Sequence, residues 1–265
     1  MKSSTVFVET GLDFLIYIIH KMDFCLFHLQ KLILFLLLFN LGQTCVAQQQ
    51  QVLEFNECAV EKLNQNDSLA AIDYFTRVIE VNPSDSMAYF DRGFIKDNLK
   101  DYSGAVEDYT KQISIDRSNV DSYFLRGLVK MKLKDYSSAI SDFDKVVEFE
   151  PSNVDAFYNR GLAKSASNDF ESAVVDFDQA INMRPDYWEV MLKRAQAKEK
   201  LNDLKAALAD YNLAIETDAN QKESYELRAK LEMKLHLKSR ACSDIQKYRA
   251  LGGNEADAKL KEMCD

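Results

Sequence analysis

The sequence predicts an all-α chain, a solenoid of stacked antiparallel helix pairs, and three observations carry that prediction. The 265 residues include only 8 Gly and 3 Pro, too few for a turn-rich all-β fold. Ala71, Ala105, Ala139, Ala173, Ala207 and Ala241 recur every 34 residues without a gap. Each Ala keeps the same company. A small residue stands 12 positions earlier (Ala59, Gly93, Gly127, Gly161, Ala195, Ala229) and a large apolar one four positions later (Phe75, Tyr109, Phe143, Phe177, Tyr211, Ile245). An unbroken period of this kind marks a repeat architecture, in which one helix pair cannot bury its apolar face alone and must stack on the next.

The first element is a sorting segment. Lys31 precedes the apolar run 32–39, which is too short to span a bilayer comfortably, and Cys45-Val46-Ala47 offers small residues for a signal peptidase. Residues 1–47 are therefore expected to be an N-terminal extension and signal peptide, cut after Ala47. Met22 opens a segment of more ordinary length and is the expected true start. An uncleaved membrane anchor is the rival reading. A lipoprotein attached through Cys45 is a third, against which Gly42-Gln43-Thr44 makes a poor lipobox. Residues 48–51 read as a short linker.

Counted from Val52 as position 1, six units follow: 52–85, 86–119, 120–153, 154–187, 188–221 and 222–255. Each holds a helix A and a helix B; in the second unit these are expected at about 86–99 and 102–115. The small residue at position 8 and the Ala at position 20 let A and B approach closely, with aromatic residues at positions 4 and 24 filling the space around them. Asp67, Asp101, Asp135, Asp169 and Asp203 recur just before helix B, and Pro83, Pro151 and Pro185 fall where one unit gives way to the next. After Leu251-Gly252-Gly253, a helical stretch over 254–264 is expected to cap the stack and keep its end soluble.

A paired charge runs through the units. Position 7 is Arg92, Arg126, Arg160, Arg194 and Arg228, and position 23 is Asp108, Asp142, Asp176, Asp210 and Asp244. The first unit lacks both, with Cys58 and Tyr74 instead. Loss in step favours a structural guanidinium–carboxylate fork over an arginine ladder that binds acidic ligands.

Composition bounds the chemistry. Hydrophobic residues make up 47% and charged residues 28%, the balance of an ordered, soluble protein. The net charge of -9, without a basic block, excludes a nucleic-acid partner. Of the 3 His, His20 and His28 lie in the leader, so histidine catalysis and His-rich metal sites are not expected. No phosphate loop, dinucleotide fingerprint or nucleophile elbow occurs. The chain is read as a non-enzyme with no cofactor and no metal.

The 34-residue period with its small–aromatic–Ala–aromatic–Pro landmarks resembles the tetratricopeptide repeat, over about four fifths of the chain. The resemblance implies a right-handed superhelical solenoid of six such units with a C-terminal capping helix. It also implies a concave groove lined by positions 2, 5, 9, 12 and 13 of the A helices. Here that groove is apolar and aromatic in the middle, formed by Phe90, Phe94, Asp97, Phe124, Leu128, Met131, Tyr158 and Leu162, and turns charged later at Lys200, Lys230 and Lys234. Packing between neighbouring A helices is the competing role for these side chains. The chaperone-tail subclass is a poor match. Asn159 stands at position 6, but position 5 is mostly aromatic and position 2 carries no basic residue.

The implied function is a scaffold or adaptor of the cell envelope, periplasmic or extracellular, that holds an apolar peptide or amphipathic helix of another protein. The alternative is a self-associating structural protein, a homo-oligomer whose aromatic face is covered by a second copy. The membrane enters only through an uncleaved leader. The pattern around Cys242 and Cys264 is similar to the ends of exported bacterial proteins of this family and implies a disulfide if the cap folds back; two buried thiols are the other reading. Two thiols with only His236 nearby make a poor zinc site.

Overall fold

A computed structural model describes residues 31, 43–44, 46–253 and 264. Among them are twelve helices and no strand. The chain divides into a unit ending at Pro83 and a second beginning at Ser84. The expected leader lies mostly outside the described residues, and so does the expected cap over 254–264 apart from Cys264, which is helical.

The first unit contains α1 (46–64) and α2 (Ser68–Val81). Residues 48–51, expected as a linker, are instead helical and lie within α1. The physical reason is composition: Gln48 to Gln51 are good helix formers, with no Gly or Pro to stop the helix. The two helices meet through Phe55 and Tyr74, whose rings lie 6.3 Å apart, beside the fully buried Ala59 and Ala71.

The second unit holds ten helices in five pairs: α3 (Ser86–Asn98) with α4 (Tyr102–Ile115), α5 (Val120–Lys132) with α6 (Tyr136–Phe149), α7 (Val154–Ala166) with α8 (Phe170–Met183), α9 (Trp188–Lys200) with α10 (Leu204–Thr217), and α11 (Lys222–Lys234) with α12 (Lys238–Ala250). Each first helix of a pair packs on its own B helix, and α5, α7, α9 and α11 also pack on the B helix before them. In addition α3, α5, α7 and α9 touch in succession, which makes one face of the stack a row of A helices.

The turn between A and B explains the recurring Asp. At position 15 the backbone enters the left-handed region in every unit, at Asn66, Lys100, Lys134, Asn168, Asn202 and His236. In the α3–α4 turn, the N–H groups of Lys100 and Asp101 then reach back to the carbonyls of Asp97 and Lys96, so the last orphan acceptors of α3 are bonded. The Asp101 side chain accepts from Gly104 N–H at 3.0 Å and caps α4. A single Asp thus ends one helix and starts the next. Leu237 holds this place in the last pair and makes no side-chain cap.

Close approach within a pair depends on position 8. A Cβ on Gly161 would lie 2.6 Å from a ring carbon of Phe177, and one on Gly127 would lie 2.8 Å from Phe143. The opposing Ala139, Ala173, Phe143 and Phe177 are wholly buried. The core of the stack is therefore a column of small residues facing aromatic rings.

Candidate functional site

The ion pairs form a continuous system through the stack. Nε and Nη2 of Arg92, Arg126, Arg160, Arg194 and Arg228 donate to both oxygens of Asp108, Asp142, Asp176, Asp210 and Asp244, at 2.6 to 3.0 Å. The third arm reaches into the preceding pair. Nη1 donates to Thr110 from Arg126, to Asp144 from Arg160, to Asp178 from Arg194 and to Asn212 from Arg228, at 2.6 to 3.0 Å. Each of these four guanidiniums clamps its own unit and staples it to the one before. Burial works against the charge on Arg160, yet its bonds to Asp176 and Asp144 outweigh it and hold the group above its ordinary range.

A second cation completes four of the five carboxylates. Lys96, Lys130, Lys164 and Lys198, at position 11, lie 2.8 Å from Asp108, Asp142, Asp176 and Asp210. Sequence reasoning missed these lysines, although their 34-residue spacing was visible.

In α11 the same position is Glu232, only 4% exposed, with Oε2 making no hydrogen bond. Burial, and then the neighbouring Asp244, push its carboxyl above the usual range, against the pull of Arg228 and Arg240. A raised folded-state pKa favours the native state while the acid is protonated and opposes it once the pH rises through that value. Glu232→Gln is therefore expected to stabilise at pH 7 by about 1 kcal/mol, or roughly 2–4 °C in thermal midpoint. The gain should fade as pH falls towards the ordinary glutamate range, and thermal melts across pH check this.

The expected groove residues lie on the row of A helices, and most of them have packing partners. Phe90 sits edge-on to Tyr109 and Phe124 edge-on to Phe143, both at 5.9 Å; Tyr158 lies 6.3 Å from Phe177 and 5.4 Å from Tyr187. Burial, followed by the neighbouring Tyr187, pushes the Tyr158 hydroxyl up to about 12, so it stays neutral. Leu128 and Met131 pack on the cluster around Ala139 and Phe143, and Leu162 on the cluster spanning α7 to α11. Asp97 is held by Lys132 of the next unit at 2.6 Å. Phe94 differs: the residue is 48% exposed.

Further along the same row, a cavity of about 640 Å³ opens among α7, α9 and α11, lined in part by Lys193, Lys200 and Lys234. The Tyr211 hydroxyl donates to Glu199 Oε1 and Lys234 Nζ to Glu199 Oε2, each at 2.6 Å. Burial first, and then the bond to Glu199, push the Tyr211 hydroxyl well above its ordinary value, so it remains a donor. At the far end Cys242 and Cys264 are bonded, with Cα atoms 5.3 Å apart, and Cys58 is a free, half-buried thiol. Among the described residues, no cluster of His, Cys, Asp and Glu has the makings of a metal site, and no helix is long and apolar enough to cross a membrane.

Paired helices in a 34-residue period, joined by an Arg–Asp clamp and stacked A to A, define a tetratricopeptide-repeat protein. The family described as "ETO1 C-terminal domain" matches residues 60–235, and the chain belongs to it. No curated protein sequence matches. Solved structures of similar fold include MamA from Desulfovibrio magneticus RS-1, 20% identical over 64% of this chain and 97% of that one, with a TM-score of 0.61. Another is YrrB, described as a TPR protein with an unusual peptide-binding site, 19% identical over 70% and 94%, TM-score 0.58. A third is PilF of Pseudomonas aeruginosa, 18% identical over 82% and 97%, TM-score 0.60.

Proposed function

We propose that the chain is a non-catalytic interaction scaffold that receives a partner polypeptide, an apolar peptide or amphipathic helix, on the concave face made by its A helices. The observation that carries this reading is Phe94, an aromatic ring left half open on a face whose other rings are packed. Burying such a ring against a partner stabilises a complex, because it removes a large apolar surface from water. YrrB, a structure of the same fold, is described as having a peptide-binding site, and this supports a similar use of the face here. Export to the periplasm or cell exterior is part of the proposal. The Cys242–Cys264 bond supports it, since such bonds persist in oxidising compartments.

Phe94→Ala is the cleanest test, because Phe90 and Phe124 also serve the core. In a pull-down from the envelope fraction, the variant is expected to keep the wild-type melting temperature and lose its partner. Equal recovery by both proteins would overturn the reading.

A further inference from the structure

We propose that the cavity among α7, α9 and α11 is a second subsite that takes an acidic stretch of a partner polypeptide, apart from the aromatic strip around Phe94. It rests on the reading that the A-helix face receives a polypeptide. Three ammonium groups, Lys193, Lys200 and Lys234, line the cavity against one carboxylate, Glu199. Both oxygens of Glu199 are already bonded, to Tyr211 and Lys234. Lys193 and Lys200 make no ion pair or hydrogen bond with any described residue, whereas the position 11 lysines described above are all tied to carboxylates. Ser165 adds a buried hydroxyl oxygen that also has no partner.

This positive pocket belongs to a chain of net charge -9, so an anionic ligand is repelled elsewhere and drawn here. Its size and spacing speak for a polypeptide over a single small anion. Lys193 and Lys200 are two helical turns apart, about 10 Å along α9. In a polyproline II segment, side chains three residues apart share one face and are separated by about 9 Å, nearly the same distance. The apolar wall, which includes Leu162 and Phe170, offers a place for a neutral side chain between two acids. The site uses positions 6 and 13 of the A helices, and from the sequence alone Lys193 did not stand out.

The test uses the full chain and a fluorescein-labelled synthetic peptide with an acid at every third residue and leucine beside each, followed by anisotropy. Binding is expected to weaken as salt rises, and by about tenfold in K193Q/K200Q, whose fold is checked by thermal melting. It should vanish for the peptide's Asn/Gln counterpart. Equal binding of that counterpart, or unchanged binding by K193Q/K200Q, would overturn the proposal. Displacement of the peptide by equimolar glutarate or phosphate would also overturn it, by making the cavity a small-anion site. Phe94→Ala is run in parallel. If its pull-down still fails while K193Q/K200Q changes nothing, the scaffold reading survives and only the acidic subsite falls.

Discussion

Arg160→Ala is expected to cost about 3 to 5 kcal/mol, the range for breaking a buried ion pair by removing one partner. Asp176, whose side chain is only 1% exposed, would keep Lys164 as its sole cation and lose both guanidinium bonds. The staple to Asp144 on the preceding B helix would go at the same time, so the damage reaches two units. The Arg160 guanidinium also lies over the Phe157 ring, with Cζ 5.2 Å from the ring centroid, and that cation–π contact disappears as well. Denaturant unfolding measures the loss. The double variant Arg160→Ala/Asp176→Ala should recover part of it, because no uncompensated carboxylate is left in the stack. A single variant within about 1 kcal/mol of wild type would show that the clamp contributes little.

Much of this clamp was legible in the sequence. Arg at position 7 and Asp at position 23 vanish together from the first unit, and charges that vanish together are partners. What could not be read was the third arm. Position 25 changes from Thr110 to Asp144, Asp178 and Asn212, so no single residue type repeats there, yet all four accept the same N–H. The left-handed residue at position 15 was hidden for the same reason: Asn, Lys and His share a backbone shape and no chemistry.

The aromatic strip was legible as a set of positions and not as a surface. A ring at position 5 facing one at position 24 leaves only an edge for a partner, and sequence spacing along one helix says nothing of what the other helix places opposite. Phe94 stands out only once its exposure is known. The cavity among α7, α9 and α11 was harder still, since it forms from three units and depends on which lysines find a carboxylate. Lys198 finds Asp210, while Lys193 and Lys200, on the same helix, find none.

Opening the Cys242–Cys264 bond is expected to cost about 3 kcal/mol, the chain-entropy value for a loop of this length. The two residues are 22 apart in sequence, and the bond ties the last helical residue described to the start of α12. In a stack where each unit leans only on its neighbours, such a loss stays local. α12 is vulnerable because Leu237 leaves its N-terminus without a side-chain cap, and because Glu232 faces Asp244 where the earlier pairs have lysine. C242S/C264S should therefore raise amide exchange across α11 and α12 and leave α5 to α8 near wild type. Reductant should do the same to the wild type and nothing further to the variant. Uniform exchange through all five pairs, or no change at α12, would mean that the bond does not hold this end of the stack together.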